Sequence, residues 1–334
     1  MLAIGDPGGL RVVAYIKEKN KIFFQELLYP RHFRILIIIY ITLKITSNLF
    51  YGDSYFTGIK SGIVGILVYW LGMYTINLAS ESNDDLQKRR MVTANKKNYK
   101  QEAAAAKRGL LISLLYTLFL LIFVVDSLQR INIITGYPLF SYVLGYDSFL
   151  SFLEQLSLNI SNAFDFISSY QVENIILAGL FYVLIPYVLF RLLGYTFKGQ
   201  FFLRGSQAAL PIFVPVVILF IKNGLEENWV WNLVYTVFYP ALSEAFFHRG
   251  IVYRSAASAV KNPSTALVMG AAVYCMLYFP YLYFWICAGS INLCLSKMGD
   301  VFLHGLLMAY AYRKTGTLLP WILIHALSNP INFL

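Results

Sequence analysis

A glutamate, a histidine and an arginine stand within six residues in the stretch Glu244-Ala245-Phe246-Phe247-His248-Arg249-Gly250, which is embedded in apolar sequence. A charge at membrane depth is expensive, so it is retained either in a structural pair or for chemistry. In an α-helix Glu244 and His248, four apart, share a face, with Arg249 five beyond the glutamate. A second polar set follows near residue 330, where His325 and Asn329 are again four apart. A carboxylate beside an imidazole and an amide can serve as a general base with oxyanion donors for attack by water. The structural alternative is a Glu–Arg pair that locks two helices.

The elements that must position these groups are membrane helices. Of the 334 residues, 58% are hydrophobic, 17% aromatic and only 13% charged, against roughly 25% charged in a soluble domain. The expected class is therefore all-α, a polytopic membrane protein. At ~20 residues per crossing the chain offers eight or nine spans: 34–51, 60–79, 109–127, 174–193, 208–221, 231–253, 264–287, 298–312 and 317–334. Glu244 lies ten residues from Arg254, ~15 Å deep, and His325 lies eight residues from Thr317, ~12 Å deep. Two helices entering from one side thus carry the two polar sets to similar depth.

Charge distribution sets the orientation. Of the 27 lysines and arginines, 21 fall on one side of this arrangement and 4 on the other, with Lys44 and Arg249 inside spans. The basic side is the cytoplasmic one, and it holds the N-terminus. The net charge of +10 is accounted for by loops facing anionic lipid, so no nucleic-acid partner is expected. Cys275, Cys287 and Cys294 form no CxxC pair, so neither a metal site nor a disulfide framework is indicated, and no cofactor is expected. Lys44 is expected to pair or to snorkel, and His304 to be a packing or interfacial residue near the outer end of its span. Glu226-Glu227, before Trp229 and Trp231, read as solvated carboxylates of an interfacial loop.

Three regions follow from composition. Residues 1–108 hold a basic segment lying along the membrane, without a leader-peptide pattern, then two spans and a charged, partly helical cytoplasmic loop. Residues 109–204 hold two spans and an outer amphipathic segment within 128–173. Residues 205–334 hold the chemistry.

That last region resembles the CAAX protease and bacteriocin-processing family (CPBP, or Abi) of intramembrane glutamic proteases. The family's motifs are EExxxRG, FxxxH and HxxxN. Here they are matched by "EAFFHRG" (Glu244 to Gly250) and by "HGLLMAYAYRKTGTLLPWILIHALSN" (His304 to Asn329), with Gly305, Thr315-Gly316, Pro320, His325 and Asn329 in the family's order. The resemblance implies that Glu244 activates water, that His325 and Asn329 hold that water and the oxyanion, and that Arg249 and Gly250 are structural. The departures are Ala245 for the second glutamate and Tyr278 for the middle-motif histidine, in "YCMLY". Tyr278 can still donate a hydrogen bond, and His248 offers an imidazole on the face of Glu244.

Two functions follow from the resemblance. One is a catalytically impaired homologue acting as a membrane scaffold or binding a membrane-protein partner. The other is an active glutamic endopeptidase cleaving a membrane peptide, with Glu244 as general base. Membrane lipids surround the protein in either case. Tyrosine stays protonated near neutrality, with a reference pKa of ~10, and so cannot exchange protons as histidine does, which favours the first. The topology is testable directly. Cysteines introduced into the 80–108 loop should be labelled by an impermeant thiol reagent only from the cytoplasm, and those placed beside Asp147 only from outside; the reverse pattern would invert the orientation.

Overall fold

The computed structural model describes residues 7–27, 30–50, 55–80, 99–135, 138–143, 145–164, 166–195, 197, 206–223, 225, 228–260 and 262–328. These residues are helical throughout, joined by short turns. In chain order the main helices are α1 (Pro7–Leu27), α2 (Arg31–Phe50), α3 (Tyr55–Ala79), α4 (Tyr99–Arg130), α5 (Tyr146–Ala163), α6 (Ser169–Leu192), α7 (Leu210–Asn223), α8 (Trp229–Thr236), α9 (residues 243–259), α10 (Pro263–Ile286), α11 (Ile291–Thr315) and α12 (Leu319–Ser328). The helical part of the expected 80–108 loop proves to be the start of α4, because Gln101–Arg108 continues without a break into the apolar run.

Among the described residues, four helices are long and apolar enough to cross a membrane: Phe56–Ala79, Ala106–Arg130, Ser169–Leu192 and Pro263–Ile286. Two shorter apolar helices, Gln207–Asn223 and Leu319–Ser328, accompany them. The other expected crossings differ for physical reasons. The run near 34–51 carries Lys44, and α11 carries Lys297, Asp300, Arg313 and Lys314, which dilute their hydropathy. The expected span 231–253 is not one helix: Tyr239 leaves helical geometry (φ −140°, ψ 116°) before a cis Pro240, where a backbone N–H is missing. Lipid-type exposure marks the outer faces, as on α3 with Phe56, Val64, Leu67, Val68 and Leu71.

Polar groups turn inward and are paired. Lys44 donates to Asp300 at 2.6 Å, and Tyr40 donates to the same carboxylate at 2.9 Å, so α2 and α11 share one ion-paired node. Gly299 makes room for it, since a Cβ there would come within 2.8 Å of the Tyr40 ring. Of its two expected alternatives, pairing or snorkelling, Lys44 therefore takes the first.

The basic N-terminal segment does more than lie along a surface. Helix α1 buries Phe23 and Leu27, with the Phe23 ring edge-on to Trp70, Tyr74 and Tyr310. It is pinned at both ends of that contact. Lys19 donates to the Ser80 carbonyl at 2.7 Å, and Asn77 donates to the Lys19 carbonyl at 3.0 Å. Glu26 takes Arg313 at 2.6 Å and Lys314 at 3.2 Å, while the Ser264 hydroxyl donates to its backbone carbonyl. Helix α1 thus ties the ends of α3, α10 and α11 together.

Lys314, beyond the expected span 298–312, is almost wholly buried in this knot. Burial pushes its amine down to about 8 from 10.5, against an upward pull from Glu26. Between these values the unfolded chain holds more protons than the folded one, so this residue's contribution to stability rises with pH. We expect the stability of the wild type relative to Lys314→Met to rise as the pH passes from about 8 to about 10 and to be flat below about 7. Thermal unfolding in detergent at matched pH measures it; a difference that is flat across the window would mean that the amine is solvated.

Candidate active site

The residues from Ala245 to Tyr253 are wound as a π-helix and are all buried. Its hydrogen bonds run i→i+5, a rare winding that concentrates at functional sites. Two phenylalanines anchor the segment: Phe247 packs 5.5 Å from the Tyr116 ring and 5.9 Å from Tyr182, and Phe246 packs 5.3 Å from Phe197.

The polar side chains of this segment meet α10. Glu244 is 7% exposed, and each of its carboxylate oxygens accepts a phenol: Oε2 from Tyr274 at 2.9 Å, Oε1 from Tyr278. Tyr274 and Tyr278 stand four apart on one face of α10, with ring centroids 5.0 Å apart. Tyr274 is the hub of the cluster. His248 meets its ring edge-on at 4.8 Å, the Arg249 guanidinium lies 5.5 Å from its centroid, and His304 approaches to 5.8 Å. His304 in turn touches His325 at 5.2 Å between centroids. The two expected polar sets are therefore joined by a continuous chain of contacts, Glu244–Tyr274–His304–His325, across α9, α10, α11 and α12.

Local sequence explains the positioning. Asn262 caps α10, its side chain accepting the Ser264 N–H at 2.9 Å, with Pro263 at the first helical position. Gly305 lets α11 approach α10 at the hub; a Cβ there would lie 2.8 Å from the Tyr274 ring and 3.3 Å from Ala271 Cα. Gly316 ends α11 in the left-handed region (φ 72°), where glycine carries no Cβ penalty. Beside it the Thr315 hydroxyl accepts the Trp321 indole N–H at 3.0 Å and donates to the Ala311 carbonyl at 2.9 Å. This bonded turn fixes α12 against α11, and with it His325.

One expectation needs revision, one is narrowed to the first of its two alternatives, and one residue went unremarked. Arg249 forms no ion pair with Glu244 within 4.0 Å among the described residues; the phenols of α10 take both carboxylate oxygens, and the guanidinium rests over the Tyr274 face as a cation–π contact. A Glu–Arg lock is thus not what holds this site. His304 is not interfacial but 5% exposed, between Tyr274 and His325. Its depth was open to reasoning: it lies eleven residues before Thr315, ~16 Å along α11, and His325 lies eight after Thr317, ~12 Å along α12. Tyr274 was also missed, although it precedes Tyr278 by one helical turn. Asn329, Glu226 and Glu227 lie outside the described residues.

The energetics favour a site over a structural plug. A hydrogen bond to a charged group contributes roughly 1.5–3 kcal/mol, and two such bonds only partly offset the several kcal/mol of removing a carboxylate from water. Further buried polar atoms have no hydrogen-bond partner among the described residues: His248 Nδ1, both ring nitrogens of His304, His325 Nδ1 and Arg249 Nη2. Each such group costs about 1–3 kcal/mol. Apolar residues would pack this volume at lower cost. An apolar groove of about 420 Å³, lined by Phe166, Asn228, Trp229, Val230, Trp231 and Val234, contains none of these groups.

A helical membrane protein with a buried carboxylate, two phenols and three imidazoles at the junction of four helices is the class that this geometry defines. Within it, residues 226–331 match the family model described as "Type II CAAX prenyl endopeptidase Rce1-like", so the C-terminal core is similar to that family over the segment carrying every described member of the cluster but no part of α1 to α7. No curated protein and no solved structure gives a match. Gly305 provides a check on the site's packing: Gly305→Ala should drive α11 from the Tyr274 hub and lower stability by about 1–3 kcal/mol, read by thermal unfolding. An unchanged midpoint would mean that the α10–α11 contact is looser than described.

Proposed function

We propose that the C-terminal core is an intramembrane glutamic endopeptidase, with a membrane-borne peptide as substrate. The observation that carries this reading is the contact chain from Glu244 through Tyr274 to the His304–His325 pair, which assembles a carboxylate and imidazoles in one dry interior. Glu244 takes a proton from water as the water oxygen attacks the scissile carbonyl. Tyr274 and Tyr278 orient the carboxylate. His325 donates to the developing oxyanion, and by the family resemblance the Asn329 amide does the same. Arg249 holds net positive charge beside the negative charge that develops. The match to a prenyl endopeptidase model makes a prenylated peptide ending in a CAAX sequence the first substrate to try.

A second reading has its own support. Both Glu244 oxygens already accept phenols, so a water can engage the carboxylate only by sharing or displacing one of these bonds. On that reading the core is an impaired homologue that binds a membrane-protein partner. Purified full-length protein in lipid vesicles, assayed on the prenylated peptide, separates the two. The wild type should cleave, and Glu244→Gln should lose about 10²–10⁴-fold in kcat with an unchanged unfolding midpoint. No turnover by either form favours the scaffold, and equal turnover by both removes Glu244 as the base.

A further inference from the structure

We propose that His304 is a catalytic residue of this site, donating an imidazole N–H to the carbonyl oxygen under attack, beside His325. The proposal rests on the hydrolytic reading above. It assigns the imidazole that is missing at Tyr278 to a neighbouring helix.

Four observations carry it. His304 is buried, and neither ring nitrogen has a hydrogen-bond partner among the described residues; a residue retained only to fill space at this point needs no nitrogen. Its ring contacts both ends of the constellation, His325 at 5.2 Å and Tyr274, the partner of Glu244, at 5.8 Å. It is followed by Gly305, whose missing side chain lets α11 close on Tyr274, so the backbone beside it is shaped for this approach. The competing imidazole, His248, packs against Phe247 at 5.3 Å and Tyr274 at 4.8 Å, with no ring contact to His325 among the described residues.

A neutral imidazole carries one N–H and one bare nitrogen, so His304 donates without being charged. The water oxygen bonds to the scissile carbonyl carbon, its proton passes to the Glu244 carboxylate, and the carbonyl electron pair moves to the oxygen. That oxyanion accepts from His304 and His325. As it collapses, the C–N bond breaks and the nitrogen takes the proton from Glu244, leaving a carboxylic acid and an amine with Glu244 ionised again. No electron carrier is involved.

The test is hydrolysis of the prenylated CAAX peptide by purified full-length variants in vesicles. His304→Phe should lower kcat by about 10²-fold or more without raising KM, at an unchanged unfolding midpoint. Adding Tyr278→His to His304→Phe, which returns an imidazole beside Glu244 from α10, should recover much of the loss. Wild-type turnover in His304→Phe while Glu244→Gln is inactive overturns the role of His304 and leaves the hydrolytic reading standing. A double variant that is folded but as inactive as His304→Phe makes the residue structural, and loss of activity in His248→Phe alone transfers the role to His248. A wild type that does not cleave the peptide removes the hydrolytic reading, and the assignment with it.

Discussion

The constraint on which this structure turns is the carboxylate of Glu244, held where water is scarce. A free carboxylate there would neutralise or unfold its surroundings. Two phenols from a single helical face meet it instead, one on each oxygen. This fixes the rotation of α10, since Tyr274 and Tyr278 must both point at α9. It fixes the distance of α11 as well, because Tyr274 fills the space left by Gly305. Tyr116 and Tyr182, packed against the Phe247 ring, then keep the π-wound segment from rotating away.

The irregular backbone around the glutamate belongs to the same solution. Inside a membrane protein, non-helical backbone survives only where protein or a polar interior satisfies it. The π-winding of Ala245 to Tyr253 lies in such an interior, since all nine residues are buried. The Arg249 guanidinium rests over the Tyr274 ring, 5.5 Å from its centroid, so positive charge stands beside a phenol that binds Glu244 without consuming the carboxylate's oxygens.

Much of this was legible in residue types, less in registers. The apolar class and the inward placement of Glu244 and His325 followed from composition and spacing, since each depends on a short stretch of chain. Lys44 showed that it needed a partner, but Asp300 lies 256 residues away, and pairing at that separation is a property of the packed helices. The same holds for Glu26, whose ties to Arg313 and Lys314 turn an amphipathic segment into a strap. The continuous span expected over 231–253 failed because hydropathy records composition and does not record where the backbone breaks. Tyr274 escaped notice because a tyrosine in an apolar run reads as core until its hydroxyl finds an acid.

If Tyr278 stands where the family resemblance expects a histidine, what each group can do changes. A phenol beside a carboxylate donates and stays protonated, so it steadies Glu244 but cannot take part in proton exchange at neutral pH. A site built this way leaves all proton movement to the carboxylate and asks the imidazoles only for donation. Donation depends on distance and direction, not on which helix supplies the ring. An imidazole lost from α10 can therefore be returned from α11, provided the two helices approach closely, and the glycine after His304 is the residue that permits it.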